Sequence, residues 1–295
     1  MKTLFLFLST IISIHAIAVP LRAQPSVEER LDQLEARVDT LLSLYPNNPD
    51  TILTPGLPED EVNLPWGISG PTGNILDKRY FLINYNDAWK IPYWVAYYIS
   101  SSILNGKTKR TDDFRPDPEL ADEERAEPVD YKKSGYDRGH NAPAADFKRS
   151  KAAMSTTFLL SNMCPQSPKL NRYIWERLED EVRKAVKDDG EGWIITGSLF
   201  LDEDSGSVEP AKYIGKDSVA VPTHCFKVIL LKGQDGGLSA FAFLLPNKKK
   251  SIKGKPAQYM LSVDRLEQIS GYDFFPALDD SLENRLESTI PTWPR

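Results

Sequence analysis

Residues 170–187 constrain the fold more than any other stretch. They set Ile174, Leu178, Val182 and Val186 four residues apart on one face. That is the period of an amphipathic helix with one buried side. Short apolar runs of strand type surround it. Residues 80–85, 93–100 and 154–161 precede the helix, and 192–196, 219–221, 226–231 and 238–245 follow it. The run 93–100 is dense in aromatic and β-branched residues, as strands are. Residues 226–231 and 238–245 are joined by a glycine-rich hairpin at 233–237, and 263–269 reads as a short helix. Residues 108–128 are polar, charged and proline-bearing, which predicts a long surface loop of the kind that often carries function. No internal repeat is visible.

Ahead of this pattern the chain has a different character. Lys2 is followed by an almost wholly apolar stretch, 4–19, that closes on Leu21-Arg22-Ala23. This is the layout of a secretory signal peptide over residues 1–23. It is shorter than the roughly 20 apolar residues that a membrane-spanning helix needs. The expected location is therefore secreted or periplasmic, with no membrane attachment after cleavage. In residues 24–46, Val27, Leu31, Leu34, Val38 and Leu41 are spaced 4, 3, 4, 3, the seam of a coiled coil. A homo-oligomer assembled through 27–45 and a single amphipathic helix are both consistent with that short seam. Residues 47–65, rich in Pro, Asn, Asp and Gly, read as a linker, and a domain is expected over 66–295.

Of the 295 residues, 41% are hydrophobic and 26% charged, an ordinary globular composition. The formal net charge is −6. Residues 1–23 hold Lys2 and Arg22 and no acid, so without them the balance is more acidic still. Tight passive binders of nucleic acid usually show a basic excess, so that class is excluded, whereas an enzyme needs only a local basic cleft. Cys164 and Cys225 are the only cysteines. One disulfide in an oxidising compartment and two buried thiols are both open.

Histidine is scarce. Beyond His15 the chain carries only His140 and His224. His140 closes the run Tyr136-Asp137-Arg138-Gly139-His140. An imidazole takes a proton near neutral pH, and the guanidinium of Arg138 offers a planar fork suited to phosphate. Gly139 is expected to let backbone approach a substrate closely. A second block runs from Asn162-Met163-Cys164-Pro165-Gln166 into Leu170-Asn171-Arg172-Tyr173 and on to Glu179. Asn171 and Glu179 stand eight apart, an offset of about 80° on an α-helix, so both can border one cleft. Amide and carboxylate oxygens are hard ligands that suit Mg²⁺. Asn171 also suits a helix N-cap, and Glu179 a solvated helix face. His224 and Cys225 are adjacent on an expected strand and point to opposite faces, which argues against a shared zinc ion.

Together these two blocks resemble the DNA/RNA non-specific endonucleases, the ββα-metal group, over roughly residues 66–275. The resemblance implies an α+β fold with a central, mainly antiparallel sheet flanked by helices. It implies a metal-dependent endonuclease that hydrolyses phosphodiester bonds of DNA and RNA and leaves 5′-phosphate ends. His140 falls on the family's general base, Asn171 on its metal ligand, and Glu179 on the carboxylate that orients the metal's water shell. Arg138 falls on the arginine that faces the phosphate. Arg110, in Arg110-Thr111-Asp112-Asp113-Phe114, matches a further substrate-facing arginine, with Arg115 as a substitute. Asn162 matches the second-motif asparagine, at the substrate. The implied cofactor is Mg²⁺, or Mn²⁺ or another divalent cation. Asn141 departs from the family, which more often has an apolar residue or Gln there, and is expected to tune rate or preference. Two other functions stay open: an inactive secreted binding protein on the same fold, and a phosphodiesterase for small nucleotides.

Overall fold

A computed structural model of the chain describes residues 63–202, 206–207 and 209–294. The chain divides into two units, Met1–Pro55 and Gly56–Arg295. The signal peptide expected at 1–23, the helix at 24–46 and the linker up to residue 62 lie outside the described residues.

The second unit is organised by seven strands in one sheet. In chain order they are β1 (Asn74–Asp77), β2 (Leu82–Asn86), β3 (Ile91–Ser100), β6 (Glu191–Leu199), β7 (His224–Lys232), β8 (Leu238–Pro246) and β9 (Met260–Leu261). Numbers β4 and β5 go to a separate two-stranded ribbon, Asp137–His140 and Met163–Gln166. The order across the sheet is β9-β8-β7-β6-β3-β2-β1, and every pairing is antiparallel.

Antiparallel sheets often leave one face in water. Both faces of this one are covered, which is why β3 and β7 read as almost unbroken apolar runs. Alternate residues serve opposite layers. Val95, Tyr97, Ile99, Ile194 and Ile229 pack on one side with Ile174, Leu178, Val182 and Val186. These last four belong to the helical segment Leu170–Asp189, a π-helical stretch at Leu170–Trp175 running into α2 (Glu176–Asp189). Trp94, Ala96, Ile195, Phe226 and Val228 face the other side. There they meet Val263 and Leu266 of α3 (Val263–Ser270) and Leu286 of α4 (Asp280–Glu287).

Residues 154–161, expected as a strand, form helix and turn, with Leu159 in an isolated bridge to Arg115. They hold the end of α1 (Lys151–Thr156) and a 3₁₀ turn at Leu160–Asn162. Ser150 caps α1 by accepting from the Ala153 N–H at 3.1 Å. An eight-residue run that mixes four Ser and Thr with four apolar residues has no decisive period, and here the cap and the burial of Met154 and Phe158 decide the outcome.

Candidate active site

The ribbon carries the motif residues. β4 pairs antiparallel with β5, with His140 opposite Met163 and Gly139 opposite Cys164. Alternation sends Arg138 and His140 to one face and Asp137 and Gly139 to the other.

On the first face His140 is only 9% exposed. Its ring meets Phe114 and Phe158 edge-on, with centroids 5.6 and 5.1 Å away. The Arg138 guanidinium lies over Phe114 at 3.9 Å, and that of Arg110 over Phe158 at 4.8 Å. The two rings that flank the imidazole therefore each hold a cation. Burial first, then the Arg110 and Arg138 charges, push the His140 imidazole down to about 3. At neutral pH it is uncharged, and its Nε2 is buried with no hydrogen-bond partner. An unprotonated imidazole with a free nitrogen beside two arginines can accept a proton close to a phosphate.

Long-range contacts bring Phe114 here. The 108–128 segment is a loop as expected up to Glu127, with a short helix at Pro128–Tyr131. Its Arg115 N–H donates to the Phe158 carbonyl, and the Leu160 N–H donates to the Arg115 carbonyl at 2.9 Å. Asp117, fully buried, accepts from Lys78 Nζ at 2.9 Å and from the Ser161 hydroxyl. The Arg115 side chain is spent on the Asp113 carboxylate and the Ser155 carbonyl, both at 2.9 Å. Arg110, whose Nε pairs with Asp112 Oδ1 at 2.7 Å, is by its place over Phe158 the loop arginine beside the imidazole.

Asn171 is the second residue of the π-helical stretch and not an N-cap. Its Nδ2 donates to Asp137 Oδ2 at 3.1 Å, and Arg172 grips the same carboxylate at 2.8 and 2.6 Å. Despite partial burial, these hydrogen bonds hold Asp137 below the usual carboxylate range. An amide that donates through Nδ2 keeps Oδ1 for a cation, so a hard divalent ion fits Asn171. A π-turn advances each residue by a smaller angle than an α-helix, so the 80° offset expected between Asn171 and Glu179 narrows.

Glu179 is half-buried and lies among charges. Burial pushes its carboxyl up to about 7, while Lys227 and Arg183 draw it down. Lys227 is 1% exposed, donates to Thr196 Oγ1 at 2.6 Å, and is driven down to about 8 by burial. Arg183 pairs with buried Asp146 at 2.7 Å. The structure thus brings Arg110, Arg138 and His140 together, ties Asn171 to Asp137 at the other end of the same strand, and sets Glu179 in a buried ion cluster behind.

Two expectations are corrected, those for Asn162 and Gly139. Asn162 does not line a substrate surface. It is fully buried, its Nδ2 donates to the Ala142 and Thr157 carbonyls, and its Oδ1 accepts from the Ala142 N–H, all at 2.9 Å. With every polar atom used, it clamps the chain that leaves His140. Asn141 is equally enclosed, with its Nδ2 on the Asn162 carbonyl at 3.0 Å, so it faces the interior. Gly139 is buried too: a Cβ there would lie 2.4 Å from Gln166 Cγ, Cδ and Oε1. The close approach that calls for glycine comes from the facing strand, not from a substrate.

Cys164 and Cys225 are both buried thiols, without a disulfide. His224 opens β7 and bonds Thr223 Oγ1 through Nδ1 at 3.0 Å. Sequence reasoning missed Phe114 and Phe158 as holders of the arginines, and Asp137 as the anchor of Asn171. Two grooves adjoin the site. One, about 320 Å³, includes Lys132, Tyr136 and Arg138. The other, about 470 Å³, includes Tyr136, Lys212 and Lys248. Lys212 Nζ donates to the Tyr136 hydroxyl at 2.8 Å. Lys132, Arg138, Lys212 and Lys248 thus line these grooves together with the acids Asp137 and Asp202.

The DNA/RNA non-specific endonuclease family model matches residues 63–281. The chain belongs to that family. Within it, a mitochondrial nuclease EXOG from Danio rerio is 39% identical over 203 residues, 67% of this chain and 59% of its own length. A mitochondrial nuclease from Saccharomyces cerevisiae is 34% identical over 234 residues, 75% of this chain and 71% of its own. A crystal structure of the EndoG/EndoGI complex superposes with a TM-score of 0.70 at 27% identity, covering 77% of this chain and 94% of the matched one. The chain thus spans about 59% of the length of the EXOG relatives. The shared fold is the α+β ββα-metal architecture with a central antiparallel sheet. The family is divalent-metal-dependent.

The expected secreted or periplasmic location is overturned by these relatives. The vertebrate EXOG proteins and the yeast nuclease are mitochondrial by name. A basic start and an apolar run describe only residues 1–23, outside the described domain, whereas the relatives share the domain itself.

Proposed function

We propose that this chain is a divalent-metal-dependent endonuclease that hydrolyses phosphodiester bonds in DNA and RNA without sequence preference. The observation that carries the reading is the neutral His140 imidazole flanked by two ring-held arginines. His140 takes a proton from water, and the resulting hydroxide attacks phosphorus in line. Arg138 and Arg110 bind the phosphate and place positive charge where the transition state becomes more negative. The bond to the 3′ oxygen breaks and leaves a 5′-phosphate. Asn171 would hold Mg²⁺ or Mn²⁺, which when bound would supply Lewis-acid charge to the phosphate. Asp137 orients Asn171, and Glu179, on the same helical segment, would orient water bound to the ion. Contacts confined to phosphates read no bases, which accounts for low specificity and for cleavage of both sugars.

A plasmid and a single-stranded RNA incubated with the pure protein test this. Cleavage of both in Mg²⁺, abolished by EDTA and reduced at least about 10²-fold in His140→Ala, is the expected outcome. A protein inert in every divalent ion, or a His140→Ala variant of wild-type rate, overturns the reading.

A further inference from the structure

The face of the sheet opposite the candidate active site is closed by α3 and α4, and their junction holds an unusual set of charges. Asp264 and Glu267 stand three apart on α3 and so share a face. Glu287 ends α4. Oxygen atoms from the three carboxylates lie within 4.8 Å of one another.

Acidic clusters on a surface need no ion, because water screens them. Glu287 is not on the surface. It is 5% exposed, and its Oε1 is buried with no hydrogen-bond partner. Glu283, one turn earlier on α4, also has a buried, unpartnered Oε1. Apart from burial itself, the largest influences on Glu287 are all acids: Glu267, Glu283, Asp264 and Asp273. Its position in the last turn of α4 adds the negative end of a helix dipole. A buried carboxylate in such a place is normally paired or bound to a metal. Without a cation, burial and these neighbours push Glu287 up to about 9 and Glu267 up to about 7.

We propose that Asp264, Glu267 and Glu287 form a structural Ca²⁺ site, remote from the catalytic metal, that locks α3 to α4. Ca²⁺ binds six to eight oxygens at about 2.3–2.6 Å, so oxygens on opposite sides of the ion lie about 4.6–5.2 Å apart. The present span fits without movement. Mg²⁺ demands near-ideal octahedral geometry and keeps several of its waters, so three carboxylates on two helices favour the more permissive Ca²⁺. Glu267 Oε1 already accepts from the Phe274 N–H at 2.7 Å, so its second oxygen is the natural ligand. Glu283 and water complete the shell. Three carboxylates against two positive charges also remove most of the repulsion at the junction.

The test is Ca²⁺ uptake and thermal unfolding of the full chain, wild type against Glu287→Gln. The active-site ligands are the same in both, so the difference reads the second site alone. The wild type is expected to bind one Ca²⁺ more per chain. Its Tm rises about 5–10 °C further than that of the variant at Ca²⁺ a hundredfold above Kd. Glu287→Gln in EDTA melts no lower than the wild type, because the amide stands in for a carboxyl that is already protonated when no ion is bound. Asp264→Asn, at the half-buried edge, folds and binds this Ca²⁺ about tenfold more weakly. Equal uptake and equal shifts in wild type and Glu287→Gln overturn the proposal. So does a junction whose Tm follows pH but ignores Ca²⁺, which would mean that the carboxyls share a proton instead.

Discussion

Replacing Gly139 by alanine tests whether the ribbon, and not the substrate, demands glycine in the motif. The added Cβ would sit 2.4 Å from Gln166 Cγ, Cδ and Oε1, where ordinary contact begins at 3.4 Å. One of the two groups must therefore move by about 1 Å. Gln166 has little room to do so: it is fully buried, and its Nε2 donates to Cys225 Sγ at 3.6 Å. Overpacking of this kind costs about 1–3 kcal/mol, which lowers Tm by about 2–12 °C in a domain of this size. His140 is the next residue and would share the displacement. A shift of about 1 Å in a catalytic group costs about 10²-fold in rate. The assay is thermal unfolding and plasmid cleavage by Gly139→Ala, Gln166→Ala and the double variant. The second change should restore part of what the first removed, with a coupling of at least about 1 kcal/mol. A Gly139→Ala protein with wild-type Tm and rate, or strictly additive losses, would refute the packing argument.

Two further outcomes follow from the site's electrostatics. Burial, Arg110 and Arg138 hold free His140 near 3, so the base stays unprotonated well below the usual histidine range. The acid limb of kcat/KM, which reports the free enzyme, should then lie below pH 5. A bound phosphate offsets the two arginines and raises the imidazole, so the limb in kcat sits higher; a limb near 6.5 in kcat/KM contradicts this environment. Asp137→Ala removes the acceptor that orients Asn171, and should weaken the catalytic metal about 10–100-fold. Cleavage rate against Mg²⁺ concentration reads this directly, and an unchanged midpoint would show that the anchor is idle.

Much of this protein was legible in the chain because it is encoded by near neighbours. The i+4 spacing of Ile174, Leu178, Val182 and Val186 needs no distant partner to declare a helix, and β3, β6, β7 and β8 declare themselves by composition. The motif around His140 and the Asn171 block are likewise contiguous, so the resemblance that implies a base and a metal ligand is carried by the chain itself. What tertiary structure decided are relations between residues far apart in sequence. Residues 154–161 carry strand composition, yet a serine cap and two buried side chains fold them into helix and turn. Arg110 and Arg115 are interchangeable on paper; only the docking of the 108–128 loop on Phe158 and Leu160 leaves Arg110 beside the imidazole and consumes Arg115. Asn162 and Gly139 look like substrate contacts until Ala142, Thr157 and Gln166 close around them. Local patterning fixes period and face, because those depend on backbone geometry within a few residues. Which polar atom is satisfied and which is left free depends on partners that only the folded chain brings together. His140 is singled out by its sequence, but its free nitrogen and its neutrality arise from the rings and arginines that folding delivers.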